Sequence, residues 1–165
     1  MSSLAAARLP PLRRRTDNGE MVPIAIARFA EVLTNALSAR PEILEAYLFG
    51  SRARGDSSGP SDIDVAVYVD RPSARDAAFG YVAELTSVVT TALGDDEVDV
   101  VVLNDAAPLL YQRVLRDGMR LFSRNLSATT TREGLALSRY CDYVPQLRKI
   151  DAAHAARMVR GLFGR

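Results

Sequence analysis

One cysteine, one histidine and almost no surplus of charge are what this chain has to work with, and each scarcity removes a class of function. Cys141 has no second cysteine with which to close an intramolecular disulfide, and with His154 it makes no Cys/His cluster of zinc-binding spacing. Lys+Arg 21 against Asp+Glu 20 leaves a formal net charge of +1, so nothing draws the whole chain toward nucleic acid or an anionic membrane. No apolar run approaches the ~18 residues that a membrane span needs, and the first residues lack the apolar core of a signal peptide. The expectation is a soluble protein of the reducing cytoplasm, not membrane-bound, whose anionic ligands are held by local charge and by metal. Nucleic acid is not expected as a direct ligand. The 165 residues, 48% hydrophobic and 25% charged, suit one globular domain with its own core.

Residues Met1 to Glu20 combine Ala, Pro-Pro and Arg13-Arg14-Arg15 with sparse leucines, which predicts a flexible N-terminal tail (1–22). From Pro23, in a favoured first-turn position, Ile24, Ile26, Phe29, Val32, Leu33 and Leu37 recur at helical spacing until Pro41. The apolar run Ile43 to Phe49 reads as a strand that stops at Gly50. A turn-rich loop, Gly55 to Pro60, leads to a second strand, Asp62 to Val69. Ser73 can cap a helix that buries Ala77, Tyr81, Leu85, Val88, Val89 and Ala92 and ends at Gly94. Val98 to Leu103 is a third strand, Pro108 to Arg116 a helix, and Met119 to Phe122 a short edge strand after the Asp117-Gly118 turn. A helical tail follows with Leu135, Leu137, Tyr140, Val144, Leu147, Ile150, Met158, Val159, Leu162 and Phe163 as its apolar set, with a break expected near Pro145. The fold class is α/β (α+β): a small mixed sheet flanked by helices, in a domain spanning 23–124, with a C-terminal helical extension over 125–165.

The chemistry gathers at two places. Leu48-Phe49-Gly50-Ser51-Arg52-Ala53-Arg54-Gly55 ends a hydrophobic run in Gly-Ser, and after ten intervening residues Asp62-Ile63-Asp64 opens another. Alternation along a strand puts Asp62 and Asp64 on one face, with Ala66 and Tyr68, and Ile63, Val65, Val67 and Val69 on the other. Two carboxylates so placed can hold Mg²⁺, which takes a few carboxylate oxygens together with phosphate oxygens and water. A metal pair calls for a third acid, and Asp99, between Val98 and Val100, is the best placed, since a lone acid among valines is costly to bury without a partner. Gly50 lets the backbone approach a phosphate, and Ser51 can donate its hydroxyl and N–H to phosphate oxygens. Arg52 and Arg54 bring positive charge to the same loop, although either can pair with an acid instead. Three carboxylates holding two metals would suit in-line nucleotidyl transfer, a hydroxyl attacking the α-phosphorus as pyrophosphate leaves.

At these residues the chain resembles the nucleotidyltransferase superfamily that includes DNA polymerase beta, whose signature is Gly-Ser, ten residues, then Asp-x-Asp, with a third acid on a later strand. Gly50-Ser51, Asp62-Ile63-Asp64 and Asp99 match it in turn. More narrowly, the short Gly50 to Gly55 loop, Ser61-Asp62-Ile63-Asp64 and Val98 to Asn104 before Ala107-Pro108-Leu109-Leu110 are similar to minimal nucleotidyltransferases, or MNT proteins, many of them antitoxins paired with a HEPN ribonuclease toxin. The resemblance covers about residues 23 to 124. It implies a polymerase-beta-like nucleotidyltransferase fold, and ATP and Mg²⁺ bound in a two-metal site. It also implies transfer of AMP to a tyrosine hydroxyl of a HEPN-type toxin, with which the chain would form a hetero-oligomer. Asp62, Asp64 and Asp99 would be the catalytic and metal-holding acids, while Gly50, Ser51, Arg52, Arg54 and Ser61 would bind the nucleotide. Two other readings stay open: a small-molecule nucleotidyltransferase similar to the aminoglycoside adenylyltransferases, and an antitoxin that neutralises by binding alone.

Outside these motifs, His154 reads as an exposed or half-buried helix residue and Cys141 as a small buried one. The tyrosines read as packing residues. Tyr68 is set apart because it shares the face of Asp62 and Asp64 and could lie near a bound base.

Overall fold

The computed structural model describes residues 13–15, 21–51, 62–71 and 80–159. Strands β1 (Arg13–Arg15) and β2 (Met21–Pro23) pair antiparallel, and helix α1 (Ile24–Ser38) follows directly. The main sheet comprises β3 (Ile43–Phe49), β4 (Ile63–Val69), β5 (Val98–Val102) and β6 (Met119–Ser123) in the order β5-β4-β3-β6. Among the described residues, helices α2 (Tyr81–Leu93), α3 (Pro108–Asp117) and α4 (Leu126–Val159) flank the sheet, and a 3₁₀ turn lies at Leu103–Asp105. Among the described residues no helix is long and apolar enough to cross a membrane.

The sheet is mixed because β4 and β5 run parallel while β3 pairs antiparallel with both β4 and β6. Parallel neighbours need a long crossover, and α2 lies within it. Gly94, in the left-handed region at φ 65°, stops α2, and its N–H bonds the Thr90 carbonyl. Beyond β5, the Asn104 side chain continues the ladder: its amide donates to the Val69 carbonyl at 2.8 Å, and its oxygen accepts from the Val69 N–H at 3.0 Å.

Side-chain alternation sorts the sheet into two packed faces. On one, Ile63, Val65, Val67 and Val69 meet Leu33 and Leu37 of α1 and Leu85 and Val89 of α2. On the other, Tyr47, Phe49 and Ala66 meet Tyr111 and Val114 of α3 and Ala136 of α4. Both faces are covered, as their near-continuous apolar strands require.

The second face also buries charge. Glu45 is fully buried (0% exposed), and Arg132 of α4 reaches it through Nε at 3.3 Å and Nη2 at 3.1 Å. The same guanidinium bonds Thr129 Oγ1 and lies 4.7 Å from the Tyr68 ring centroid. The next residue in α4, Glu133, accepts from the Tyr47 hydroxyl at 2.8 Å and from Arg120 at 2.7 Å. Burial, reinforced by the nearby Glu45 and Glu133 carboxylates, pushes the Tyr47 phenol far above its ordinary value, so it remains a hydrogen-bond donor.

The structure departs from the sequence reading before α1 and along α4. Pro23 ends a strand instead of opening the first helix, and Arg13–Arg15 forms its partner strand; such pairing uses backbone groups and needs no apolar periodicity. Pro145 does not break α4. Proline removes one bond to the carbonyl four residues back, here that of Cys141, and both residues are exposed, so water can satisfy the freed oxygen. Cys141 is therefore not a buried residue. The expected start of the second helix, including Ser73 and Ala77, lies outside the described residues.

Removing Arg132 leaves Glu45 buried without its counter-charge. Arg132→Met is expected to lower unfolding stability by about 3 kcal/mol, and Arg132→Met/Glu45→Leu to recover most of it. Urea unfolding measures both, and a single-variant loss below about 1 kcal/mol would contradict the assignment.

Candidate active site

The end of the sheet where β3 finishes and β4 and β5 begin brings the motif residues together. Phe49 lies opposite Asp64 in the β3/β4 ladder, and Asp64 lies opposite Asp99 in the parallel β4/β5 ladder. Strand partners sit roughly 4.8 Å apart and present side chains to the same side. Asp64 and Asp99 therefore share one sheet face, that of Ala66 and Val101, and Asp62, two residues before Asp64, precedes the strand. Asp64 is half-buried, while Asp62 and Asp99 are exposed.

Gly50 leaves β3 at φ 81°, a left-handed conformation that side chains other than glycine's rarely adopt. Its α-carbon turns toward Asp64: a Cβ added there would collide with the Asp64 carboxylate, lying 2.7 Å from its Cγ. The chain takes up helical conformation at Gly50 and Ser51, where the described residues stop. A bare glycine thus lets the backbone of the Gly-Ser turn close over the central acid. This is the close approach that a phosphate beside a carboxylate-held cation would use.

The acids supply hard oxygen donors from adjacent strands, which fits Mg²⁺ held by one or two carboxylates and completed by substrate phosphates. Among the described residues, no three His, Cys, Asp or Glu side chains lie close enough to form a ready-made metal cluster. The fit therefore rests on the Asp64/Asp99 register beside the Gly50 turn, with Asp62 flanking. Arg52, Arg54 and Ser61 lie outside the described residues.

Asp99 was singled out because burial among valines would be costly, yet it is exposed at the strand's start; its register opposite Asp64 is what places it at the site. Tyr68 shares the acids' sheet face, but the Arg132 guanidinium covers its ring. Glu45 went unnoticed, although the same signal, one acid inside an apolar run, was present in Ile43 to Phe49.

A mixed sheet of this order, with a Gly-Ser turn over acids at one end, defines a nucleotidyltransferase of the polymerase beta class. The family described as Polymerase beta, Nucleotidyltransferase matches residues 31–127, well over half of the chain, and the chain belongs to it. It is 31% identical over 107 residues to the protein adenylyltransferase MntA of Aphanizomenon flos-aquae, a match covering 59% of this chain and 68% of that protein. It is 35% identical over 82 residues to the protein adenylyltransferase MntA of Shewanella oneidensis, covering 50% of this chain and 55% of that protein. The chain thus spans little more than half the length of the second relative. The fold is also that of a solved complex between a tri-AMPylated Shewanella oneidensis HEPN toxin and MNT antitoxin, with a TM-score of 0.56 and 23% identity, covering 76% of this chain and 98% of that one.

Gly50→Ala tests the close approach. The variant is expected to lose about 100-fold or more of nucleotidyl-transfer rate, equivalent to about 2.7 kcal/mol of barrier. Its melting temperature should fall by only a few degrees, the cost of a left-handed Ala. A variant with wild-type turnover would show that the Gly50–Asp64 contact is not part of the site.

Proposed function

We propose that this chain transfers AMP from ATP to a tyrosine hydroxyl of a HEPN-type ribonuclease toxin and thereby acts as its antitoxin. The observation that carries the reading is the pairing of Asp64 with Asp99 on one sheet face beside the bare Gly50 turn. Family membership supplies the reaction class, and the relatives named protein adenylyltransferase MntA point to adenylyl transfer onto a protein. A fold neighbour solved as an MNT antitoxin with an AMPylated HEPN toxin supports the same partner and modification. We place the catalytic unit at 23–124, preceded by the strand pair of Arg13–Arg15 and Met21–Pro23, with 125–165 as a helical extension.

In this mechanism Asp62, Asp64 and Asp99 would hold Mg²⁺, and the bound ion would neutralise the triphosphate and sharpen the electrophilicity of the α-phosphorus. Gly50 admits the triphosphate to the backbone, and Ser51 donates its hydroxyl and N–H to the distal phosphate oxygens. Arg52, Arg54 and Ser61 would add contacts to the same nucleotide. The acceptor tyrosine enters from solvent, to which Asp62 and Asp99 are exposed. Its hydroxyl oxygen forms a bond to the α-phosphorus, the bond from that phosphorus to the bridging oxygen breaks, and pyrophosphate leaves with the bonding pair. Asp99 takes the phenolic proton. A carboxylate at a strand's exposed start can act as such a base once the phenol is oriented.

Intact mass spectrometry of a HEPN-type partner incubated with the chain, ATP and Mg²⁺ checks this. The wild type is expected to add one or more AMP units, and Asp62→Ala/Asp64→Ala to add none while still forming the complex. A partner silenced without any mass gain would place the chain among antitoxins that act by binding alone.

A further inference from the structure

Gly118, between α3 and β6, is a glycine that its backbone conformation does not require. Its φ of −90° and ψ of 154° are extended values open to any residue. What excludes a side chain there is space. A Cβ would overlap the Val114 carbonyl oxygen in the last turn of α3, and would lie 3.2 Å from Phe49 Cβ and 3.3 Å from the Leu48 carbonyl oxygen. Carbon atoms pack best at about 3.5–4.0 Å, so the joint has no room for a methyl group.

None of these three atoms is the loose end of a side chain. The Val114 oxygen accepts from the Gly118 N–H at 2.8 Å. Leu48 is held on both sides, opposite Met119 of β6 and Val65 of β4. Phe49 belongs to the core cluster of Tyr111 and Val114. In an interior packed as densely as a crystal, a bulkier residue displaces its neighbours instead of finding a void. What can yield is the end of β3, where the ladder to β6 stops at Leu48 and the chain turns out of the sheet at Gly50. Phe49 lies opposite Asp64, and the next residue, Gly50, stands against the Asp64 carboxylate. A displaced Phe49 therefore alters that approach.

We propose that Gly118 is a positioning residue for the nucleotide: by letting α3 close on Leu48 and Phe49, it sets how far the Gly-Ser turn stands from Asp64. The end of β3 is seated between two residues without a Cβ, Gly118 where α3 meets β6 and Gly50 against β4. This rests on the reading that the Gly50 turn receives the triphosphate of ATP, and adds what holds the turn at its distance.

The test uses the full-length chain. Dissociation constants for ATP with Mg²⁺ and melting temperatures are measured for the wild type, Gly118→Ala, Phe49→Leu and Ile43→Ala, with amide NMR spectra recorded before ATP is added. Ile43 is fully buried at the other end of the same strand, so Ile43→Ala lowers stability without touching the joint. Gly118→Ala is expected to shift the Gly50 and Ser51 amide signals and to weaken ATP binding about tenfold. Ile43→Ala is expected to melt lower with both left as in the wild type. Wild-type ATP affinity in Gly118→Ala overturns the proposal. So does weakened binding with those amides unmoved, or an equal loss of affinity in Ile43→Ala. If Gly118→Ala does not fold, Phe49→Leu decides: weakened ATP binding supports the proposal and wild-type binding overturns it. A wild type that binds ATP, with these losses in the variants, but transfers no AMP leaves the role of Gly118 standing and removes the proposed chemistry instead. A wild type that binds no ATP removes both.

Discussion

The approach of Gly50 to the carboxylate of Asp64 is the constraint on which the site depends. It needs a residue without a Cβ, a positive φ at the end of β3, and an acid placed opposite the preceding residue in the β3/β4 ladder. None of these is useful alone. A glycine turn is merely permissive, and an acid at a strand start is ordinarily a solvated edge. Together they set a backbone turn against a half-buried carboxylate, and the parallel pairing of β4 with β5 adds Asp99 beside it.

The rest of the fold holds those three strands in register. One face is an aliphatic core under α1 and α2. The other mixes aromatics with a buried ionic network, in which Arg132 satisfies Glu45 and Glu133 receives Tyr47 and Arg120. A buried ion pair contributes little net stability compared with a well-packed apolar pair, but it penalises misplacement heavily. Its effect here is to fix where α4 sits on the main sheet, because any slip along the helix would strand a buried carboxylate. Arg124 does similar work at the strand's other end, donating to the carbonyls of Ser38, Arg40 and Ile43 and so closing the last turn of α1 against β3.

Much of this was legible in the sequence, where physical signals were local. The run Ile43 to Phe49 and the alternation from Ile63 to Val69 specified strands and faces, because burial on one or both sides leaves a period of two. Gly94 marked the end of a helix because glycine accepts the left-handed φ, and the Asp117-Gly118 pair marked a turn. What escaped needed information from distant chain segments. Nothing near Glu45 says that an arginine 87 residues away will neutralise it, and nothing near Tyr68 says that the same arginine will cover its ring. The Arg13–Arg15 and Met21–Pro23 pairing leaves no apolar pattern to read. Pro145 was over-read, because an exposed proline removes a single bond from a helix held by packing upstream. The acids were found by motif, while the register that makes Asp64 and Asp99 partners came only from the fold.

The central claim is that the hydroxyl attacks the α-phosphorus and that AMP, not phosphate, is the group transferred. Parallel incubations of chain, Mg²⁺ and HEPN-type partner with ATP labelled at the α- or the γ-phosphorus test this most directly. The account predicts α-label on the partner, with pyrophosphate released in equal amount and no γ-label retained. Label from the γ-phosphorus on the partner would contradict it, as would hydrolysis of ATP without any label on the partner.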